Sequence, residues 1–149
     1  MFVNICLLFV IGLRRDDFLS DTDIFLAACD DAGGLGQALS HALQSRGWRV
    51  VLLDLDISGL DSGSNQLAIA CDLTDPAQLA SACQRAITTC DSIDLVIYNA
   101  GVTQIRGFEK SDAASHRTLF DINYFAAVEM ARVFLHPVRV SKGTHLAIS

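Results

Sequence analysis

Short apolar runs alternate along the chain with stretches in which apolar residues recur every three or four positions. The runs predict buried strands, and the recurring stretches predict amphipathic helices. The predicted strands cover residues 24–28, 49–53, 66–70, 94–98 and 144–148. The predicted helices begin at Leu35 and stop before Gly47, run from Pro76 to Cys90, and run from Ser111 to Leu135 with a stop at Pro137.

Strands that alternate with helices in this way predict an α/β fold. Successive right-handed crossovers give a doubly wound parallel sheet that is covered by helices on both faces. The chain has 149 residues, which is enough for one core and little more. We therefore expect one domain over residues 23–149, with residues 1–22 as an apolar leader outside the core.

Glycines and polar residues follow the first four predicted strands. They are Gly33, Gly34 and Gly36 after the first strand, Asp54 after the second, Asp72 after the third, and Asn99 to Gly101 after the fourth. Glycines allow a backbone turn to approach a pyrophosphate, and the N–H groups that open the next helix bind it. A carboxylate about 20 residues later can accept hydrogen bonds from ribose hydroxyls. The carboxyl edge of the sheet is therefore predicted to bind a dinucleotide.

Each of these features also has a purely structural interpretation, which the residues alone leave open. The glycines could form only a tight turn, and Asp54 could be a solvated strand end. Asp72 could cap the turn before the helix at Pro76. Asn99 could bond neighbouring backbone groups instead of a ligand, or do both.

At these residues the chain resembles the short-chain dehydrogenase/reductase family. Cys29-Asp-Asp-Ala-Gly-Gly-Leu-Gly36 is similar to the family's opening T-G-x-x-x-G-x-G at its last two glycines. Cys71-Asp-Leu-Thr74 resembles the segment that reaches the adenine, with Asp72 as acceptor and Leu73 as backbone partner. Tyr98-Asn-Ala-Gly101 resembles the family's N-N-A-G signature. The motifs occur in the family's order and approximate spacing.

The resemblance implies a Rossmann-like sheet of about five strands in the order 3-2-1-4-5, and an NAD cofactor. It implies that Asp54 favours NAD over NADP, because a carboxylate bonds the adenosine ribose and repels a 2′-phosphate. The reaction would be hydride transfer between nicotinamide and a small-molecule alcohol or carbonyl substrate, in an enzyme that forms a homo-oligomer. The implied cofactor-binding residues are Gly33, Gly34, Leu35, Gly36, Asp54, Asp72, Leu73, Asn99, Ala100 and Gly101.

Three departures from the family pattern bear on activity. Asp30 stands where the family has its first glycine, which puts a negative charge beside the expected pyrophosphate and should weaken cofactor binding. Tyr98 replaces the first asparagine of the later signature. The family's tyrosine with a lysine four residues later is absent, because Val102 and Val128 stand four residues after the tyrosines at 98 and 124.

Asn123 is the one residue of the presumed catalytic group in this chain. Asp121-Ile-Asn123 resembles the helical segment whose asparagine, in the family, holds a water of the proton relay. A solvent-facing asparagine would satisfy the sequence equally well. Ser149 aligns just before the family's catalytic serine, so we expect a fragment that is incomplete at its C-terminus and inactive alone.

Composition excludes several other classes of protein. The formal net charge of −6 comes without clustered Lys and Arg, which argues against nucleic-acid binding. The first 13 residues are too short an apolar stretch to span a bilayer, which takes about 20 residues, and positive charges follow them instead of preceding them. The five cysteines lack metal-ligand spacing. We expect reduced cysteines, no metal and a cytoplasmic protein.

Two other functional classes remain as alternatives. The chain could be a noncatalytic dinucleotide-binding relic or an interaction module that keeps the sheet. It could also be a methyltransferase-like domain, since those sheets also combine a glycine-rich first turn with an acidic residue after the second strand. The signature at residues 99–101 argues against this last interpretation.

Overall fold

The computed structural model describes residues 23–27, 34–60, 65–105 and 107–148. Predicted features at Cys29, Asp30, Gly33, Ser149 and residues 1–22 lie outside this part of the chain. Five strands pair in parallel in the order β3-β2-β1-β4-β5. They are β1 (Asp23–Ala27), β2 (Arg49–Asp54), β3 (Gln66–Ala70), β4 (Leu95–Tyr98) and β5 (Thr144–Ala147). Each lies within one residue of its predicted bounds.

The helices fall between these strands, which confirms the predicted α/β class. They are α1 (Leu35–Gln44), α2 (Pro76–Thr89), α3 (Ala113–Phe120) and α4 (Ala126–Ser141), with a 3₁₀ turn at Phe108–Lys110 and a π-helical segment at Asp121–Phe125. None of the described helices combines the length and the apolar composition that crossing a bilayer requires.

Apolar side chains pack on both faces of the sheet. On one face, α2 and α4 bury residues against alternate positions of β2, β3 and β4, and the largest fully buried side chain there is Phe134. On the other face, Leu39 and Leu43 of α1 pack against Val50 and Leu52 of β2. The alternation of strand side chains between two apolar layers is why these strands read as nearly continuous apolar runs.

The start of α2 follows the sequence prediction. The carboxylate of Asp75 accepts hydrogen bonds from the backbone N–H groups of Ala77 at 2.9 Å and Gln78 at 3.3 Å, and Pro76 occupies the first helical position. A proline costs nothing there, because the N–H that it lacks would have no partner within the helix. The cap and the proline fix the point at which the chain leaves the carboxyl edge of the sheet.

The prediction that Pro137 stops the long helix is wrong. Helix α4 continues through Pro137 to Ser141 and ends at Lys142, whose φ is 59°. The apolar face of α4 includes Met130, Phe134 and Val138, and Val138 is only 3% exposed. Burial of Val138 beyond the proline supplies the reason, because it offsets the backbone hydrogen bond that the proline removes.

Candidate functional site

The N-terminus of α1 presents its first backbone N–H groups at the carboxyl edge of the sheet. Gly34 occupies the N-cap position with an extended backbone, φ −93° and ψ −162°, and no side chain of the described residues caps the helix. The first turn of α1 contains no acidic residue. The first N–H groups of a helix have no intrahelical acceptor, so those of Leu35 and Gly36 can donate to an anion.

Asp54 lies beside the exit of β1, from which the chain continues toward Gly34. Its neighbour Leu53 is in register with Ala27, the last residue of β1. Asp54 is 8% exposed, and its Oδ1 accepts a hydrogen bond from the backbone N–H of Asp56 at 3.1 Å. A nearly buried carboxylate at this corner is a strong acceptor for hydroxyl groups, since water competes for it weakly.

Asp72 is engaged in the turn that leads into α2. Its Oδ1 accepts hydrogen bonds from the backbone N–H of Thr74 at 2.8 Å and from the Thr74 hydroxyl at 2.7 Å. Its backbone N–H donates to Gln78 Oε1 at 3.2 Å. The structural interpretation of Asp72 as a turn cap is therefore observed. Leu73, beside it, is buried in the core at 6% exposure.

Asn99, Ala100 and Gly101 follow β4 directly, at the same edge of the sheet. Asn99 is 8% exposed, which makes it one of the few buried polar residues of the described chain. A Cβ added at Gly101 would lie 3.8 Å from Asn123 Oδ1, an ordinary contact distance. The described neighbours of Gly101 therefore leave room for a methyl group there.

Asn123 binds the loop that follows residues 99–101. Its Oδ1 accepts a hydrogen bond from the Val102 N–H at 2.7 Å, and its Nδ2 donates to the Val102 carbonyl at 2.8 Å. Asn123 lies in the π-helical segment between α3 and α4. Such segments break the regular helix ladder and often occur at functional sites. Sequence reasoning placed Asn123 in a relay but missed Val102.

Tyr98 and His145 form a second contact that the sequence did not predict. The Tyr98 hydroxyl lies 2.5 Å from His145 Nδ1, and the two rings stack with centroids 5.8 Å apart and planes inclined by 6°. The available signal was weak: both are polar-tipped rings in otherwise apolar strands. Desolvation raises the pKa of Tyr98 and lowers the pKa of His145, so both side chains are neutral near pH 7.

Two of the described cysteines, Cys71 and Cys83, have unreactive thiols. Cys71 and Cys83 are free and buried, and desolvation raises the pKa of their thiols to about 11 and about 12. Thiols with such values stay protonated near neutral pH. Within the described ranges, no group of His, Cys, Asp and Glu side chains could hold a metal ion.

Comparison with known proteins identifies similar sequences over most of the chain. A family model described as short chain dehydrogenase matches residues 30–149. The 1-deoxy-11-beta-hydroxypentalenate dehydrogenase of Streptomyces avermitilis is 35% identical over 114 residues, which cover 70% of this chain and 42% of that enzyme. The chain thus spans less than half the length of this curated relative.

Solved structures share the fold. A short-chain dehydrogenase from Streptomyces avermitilis superposes with a TM-score of 0.77 at 22% identity, over 85% of this chain and 49% of that one. A 3-ketoacyl-(acyl-carrier-protein) reductase from Brucella melitensis, solved with NADH, superposes with a TM-score of 0.70 at 20% identity, over 78% of this chain and 50% of that one.

Proposed function

This chain belongs to the short-chain dehydrogenase family, and on that basis we propose that it is the cofactor-binding part of an NAD(P)-dependent oxidoreductase. The reaction of the whole protein is hydride transfer between nicotinamide and an alcohol or carbonyl carbon. The observations that carry the proposal are the N-terminus of α1, which no described side chain caps, and the nearly buried carboxylate of Asp54 at the carboxyl end of β2, the strand next to β1. One site thus offers donors for a diphosphate and an acceptor for ribose.

The residues at this edge fit the dinucleotide. The amides that open α1, together with Gly33, Gly34, Leu35 and Gly36, would hold the pyrophosphate. Asp54 would bind the adenosine ribose, and Asp72 and Leu73 would lie near the adenine. Asp72 has one carboxylate oxygen in the Thr74 turn, which leaves its second oxygen for this contact. The bound nicotinamide supplies or accepts the hydride.

The turn at residues 99–101 forms the remaining wall of the proposed site. Asn99 is nearly buried, and the bonds from Asn123 to Val102 hold the loop that follows. In the proposed Rossmann-like arrangement, ligands bind at the point where the strand order reverses. In the described sheet this point lies between β1 and β4, beside this turn.

We propose that NAD is preferred over NADP. Asp54 is fixed at the end of β2 by the N–H of Asp56, and the described first turn of α1 supplies no cationic side chain that would attract a phosphate. A fixed carboxylate accepts bonds from a free 2′-hydroxyl and repels a 2′-phosphate. The preference therefore depends on the charge of a single side chain.

Within the 149 residues, neither Tyr98 nor Tyr124 has a lysine four positions later. We therefore propose that residues 23–149 bind dinucleotide as one domain without turning over substrate by themselves. We also propose that the whole protein forms a homo-oligomer, which is supported by apolar side chains that are exposed along α3, the π-helical segment and α4. These are Phe120, Phe125, Val128 and Leu135, with 61%, 56%, 48% and 51% exposure.

The substitution Gly34→Asp tests the proposed phosphate contact. An aspartate at the N-cap position caps α1, so stability should stay within about 0.5 kcal/mol of wild type. The same carboxylate occupies the amides and repels a diphosphate, so NADH affinity should fall by at least about tenfold. Ser45→Asp adds an equal charge at the other end of α1 and should leave NADH affinity unchanged. Equal NADH affinity in both variants would contradict the proposal.

A further inference from the structure

Tyr98 is the last residue of β4 before the turn at residues 99–101, and it is bonded to β5 in two ways. Its carbonyl accepts a hydrogen bond from the backbone N–H of Ile148 at 2.9 Å. Its hydroxyl oxygen lies 2.5 Å from His145 Nδ1, within hydrogen-bond distance. Because Ala147 is the register partner of Tyr98, the tyrosine side chain reaches back two residues along β5 to His145. The end of β4 is thereby fixed by both backbone and side chain.

Tyr98 and His145 form a contact between two uncharged side chains, which we call the clamp. His145 Nε2 is buried and has no hydrogen-bond partner among the residues that the structure describes. In the neutral tautomer whose Nδ1–H donates to the Tyr98 hydroxyl oxygen, Nε2 carries only a lone pair. A protonated imidazole would instead present a buried N–H at Nε2 without an acceptor among the described residues, which is costly. The desolvation that lowers the pKa of His145 acts in the same direction. The Tyr98–His145 hydrogen bond is therefore not an ion pair.

This clamp belongs to this chain and not to the family pattern, in which an asparagine occupies the position of Tyr98. The tyrosine ring is 7% exposed and packs in the same apolar layer as Met130 and Phe134 of α4. Stacking against His145 fixes the plane of the ring, and the hydrogen bond fixes its tip. A side chain that is held at both its body and its tip restrains the backbone from which Asn99 continues.

We propose that Tyr98 and His145 are positioning residues for the dinucleotide site, because they hold the turn at residues 99–101 in place from β5. This proposal rests on the proposed function, since the turn is assigned there as a wall of that site. Tyr98 and His145 would themselves contact no ligand. They would affect dinucleotide binding by fixing the positions of Asn99, Ala100 and Gly101.

The test uses the full chain with Tyr98→Phe, His145→Gln and the double variant. Tyr98→Phe keeps the ring and removes the hydroxyl. Ile93→Val is the matched control, because Ile93 is 2% exposed and lies before β4, at the opposite end of that strand from the turn. Each protein is measured for thermal stability, for NADH affinity below its melting range, and for amide hydrogen exchange at residues 99–102.

We expect Tyr98→Phe and His145→Gln each to lower NADH affinity on the order of fivefold, as the loss of one net hydrogen bond would. The double variant should be no weaker than the weaker single variant, because both changes remove the same bond. Amide exchange at residues 99–102 should accelerate in all three. Ile93→Val should lose stability without changing NADH affinity or exchange at the turn.

The readouts separate this proposal from the proposed function. If wild type binds NADH and the three variants match Ile93→Val in affinity and exchange, the positioning proposal is wrong and the proposed function stands. If wild type fails to bind NADH, the proposed function fails, and exchange at residues 99–102 alone decides whether the pair positions the turn. Additive losses in the double variant would also overturn the clamp.

Discussion

Asn123 is bonded to Val102 through both atoms of its amide group, at 2.7 Å to the N–H and 2.8 Å to the carbonyl. The side chain thus pairs with the loop backbone as a neighbouring strand would. It ties the π-helical segment to the loop that follows β4. This contact gives an asparagine in a helix interior a specific reason to be there, since its intrinsic helix propensity is poor.

Replacing Asn123 by alanine should destabilise the chain by about 1 to 3 kcal/mol, the net value of two hydrogen bonds. Urea unfolding, followed by circular dichroism, measures this difference. Tyr124→Phe, at the adjacent exposed position of the same segment, should change stability by less than about 0.5 kcal/mol. Equal stabilities of the two variants would mean that the Val102 contact contributes nothing.

Replacing Asp54 by asparagine should change cofactor selectivity. The amide keeps the size of the side chain and removes the charge that repels a 2′-phosphate, so the NADH-to-NADPH affinity ratio should fall about tenfold. Calorimetric titration with both dinucleotides measures the ratio. Asp56→Asn removes an equal charge two residues away and keeps the N–H that donates to Asp54. If both variants keep wild-type selectivity, Asp54 is not the discriminating residue.

Replacing Pro137 by alanine should stabilise α4, because the helix begins well before residue 137 and continues past it to Ser141. The alanine restores a backbone N–H inside the helix, and a gain of about 1 to 3 kcal/mol is expected in thermal unfolding. His136→Ala changes the exposed neighbour and should leave stability within about 0.5 kcal/mol of wild type. A loss of stability on removing the proline would show that packing of its ring outweighs the missing hydrogen bond.

The free energy of unfolding of the wild-type chain should decrease in mild acid, because protonation of His145 favours the unfolded state. Desolvation lowers its pKa in the folded state from the ordinary value of 6.5, so the unfolded chain takes up the proton first as pH falls. The stability difference between wild type and His145→Gln should be constant above pH 6.5 and should shrink below it. Unfolding curves collected between pH 8 and pH 5, about the range over which a histidine titrates, provide the measurement. A pH-independent difference would show that the His145 pKa is unchanged by folding.

The regular elements were predictable because their signals are local. β2 reads as a continuous apolar run, and α2 begins with Asp75 and Pro76 and buries an apolar face at helical spacing. The candidate site residues were predictable for the same reason. The glycines, Asp54 and residues 99–101 stand at the ends of strands that could be identified from the sequence. Parallel pairing then brings these residues to one edge of the sheet.

The remaining features depend on contacts between distant residues. Asn123 and Val102 are 21 positions apart, and Tyr98 and His145 are 47 positions apart, so no local pattern predicts either pair. The continuation of α4 through Pro137 depends on burial of Val138 against the sheet. Local propensity favoured a stop there, and tertiary packing outweighed it.

Direct titration of the 149-residue chain with NADH, NADPH and S-adenosylmethionine tests the central claim, that the edge beside Gly34 and Asp54 binds a nicotinamide dinucleotide. We predict that NADH binds most tightly, that NADPH binds more weakly, and that S-adenosylmethionine does not compete with either. Tighter binding of S-adenosylmethionine, or the absence of binding by both dinucleotides, would contradict the account.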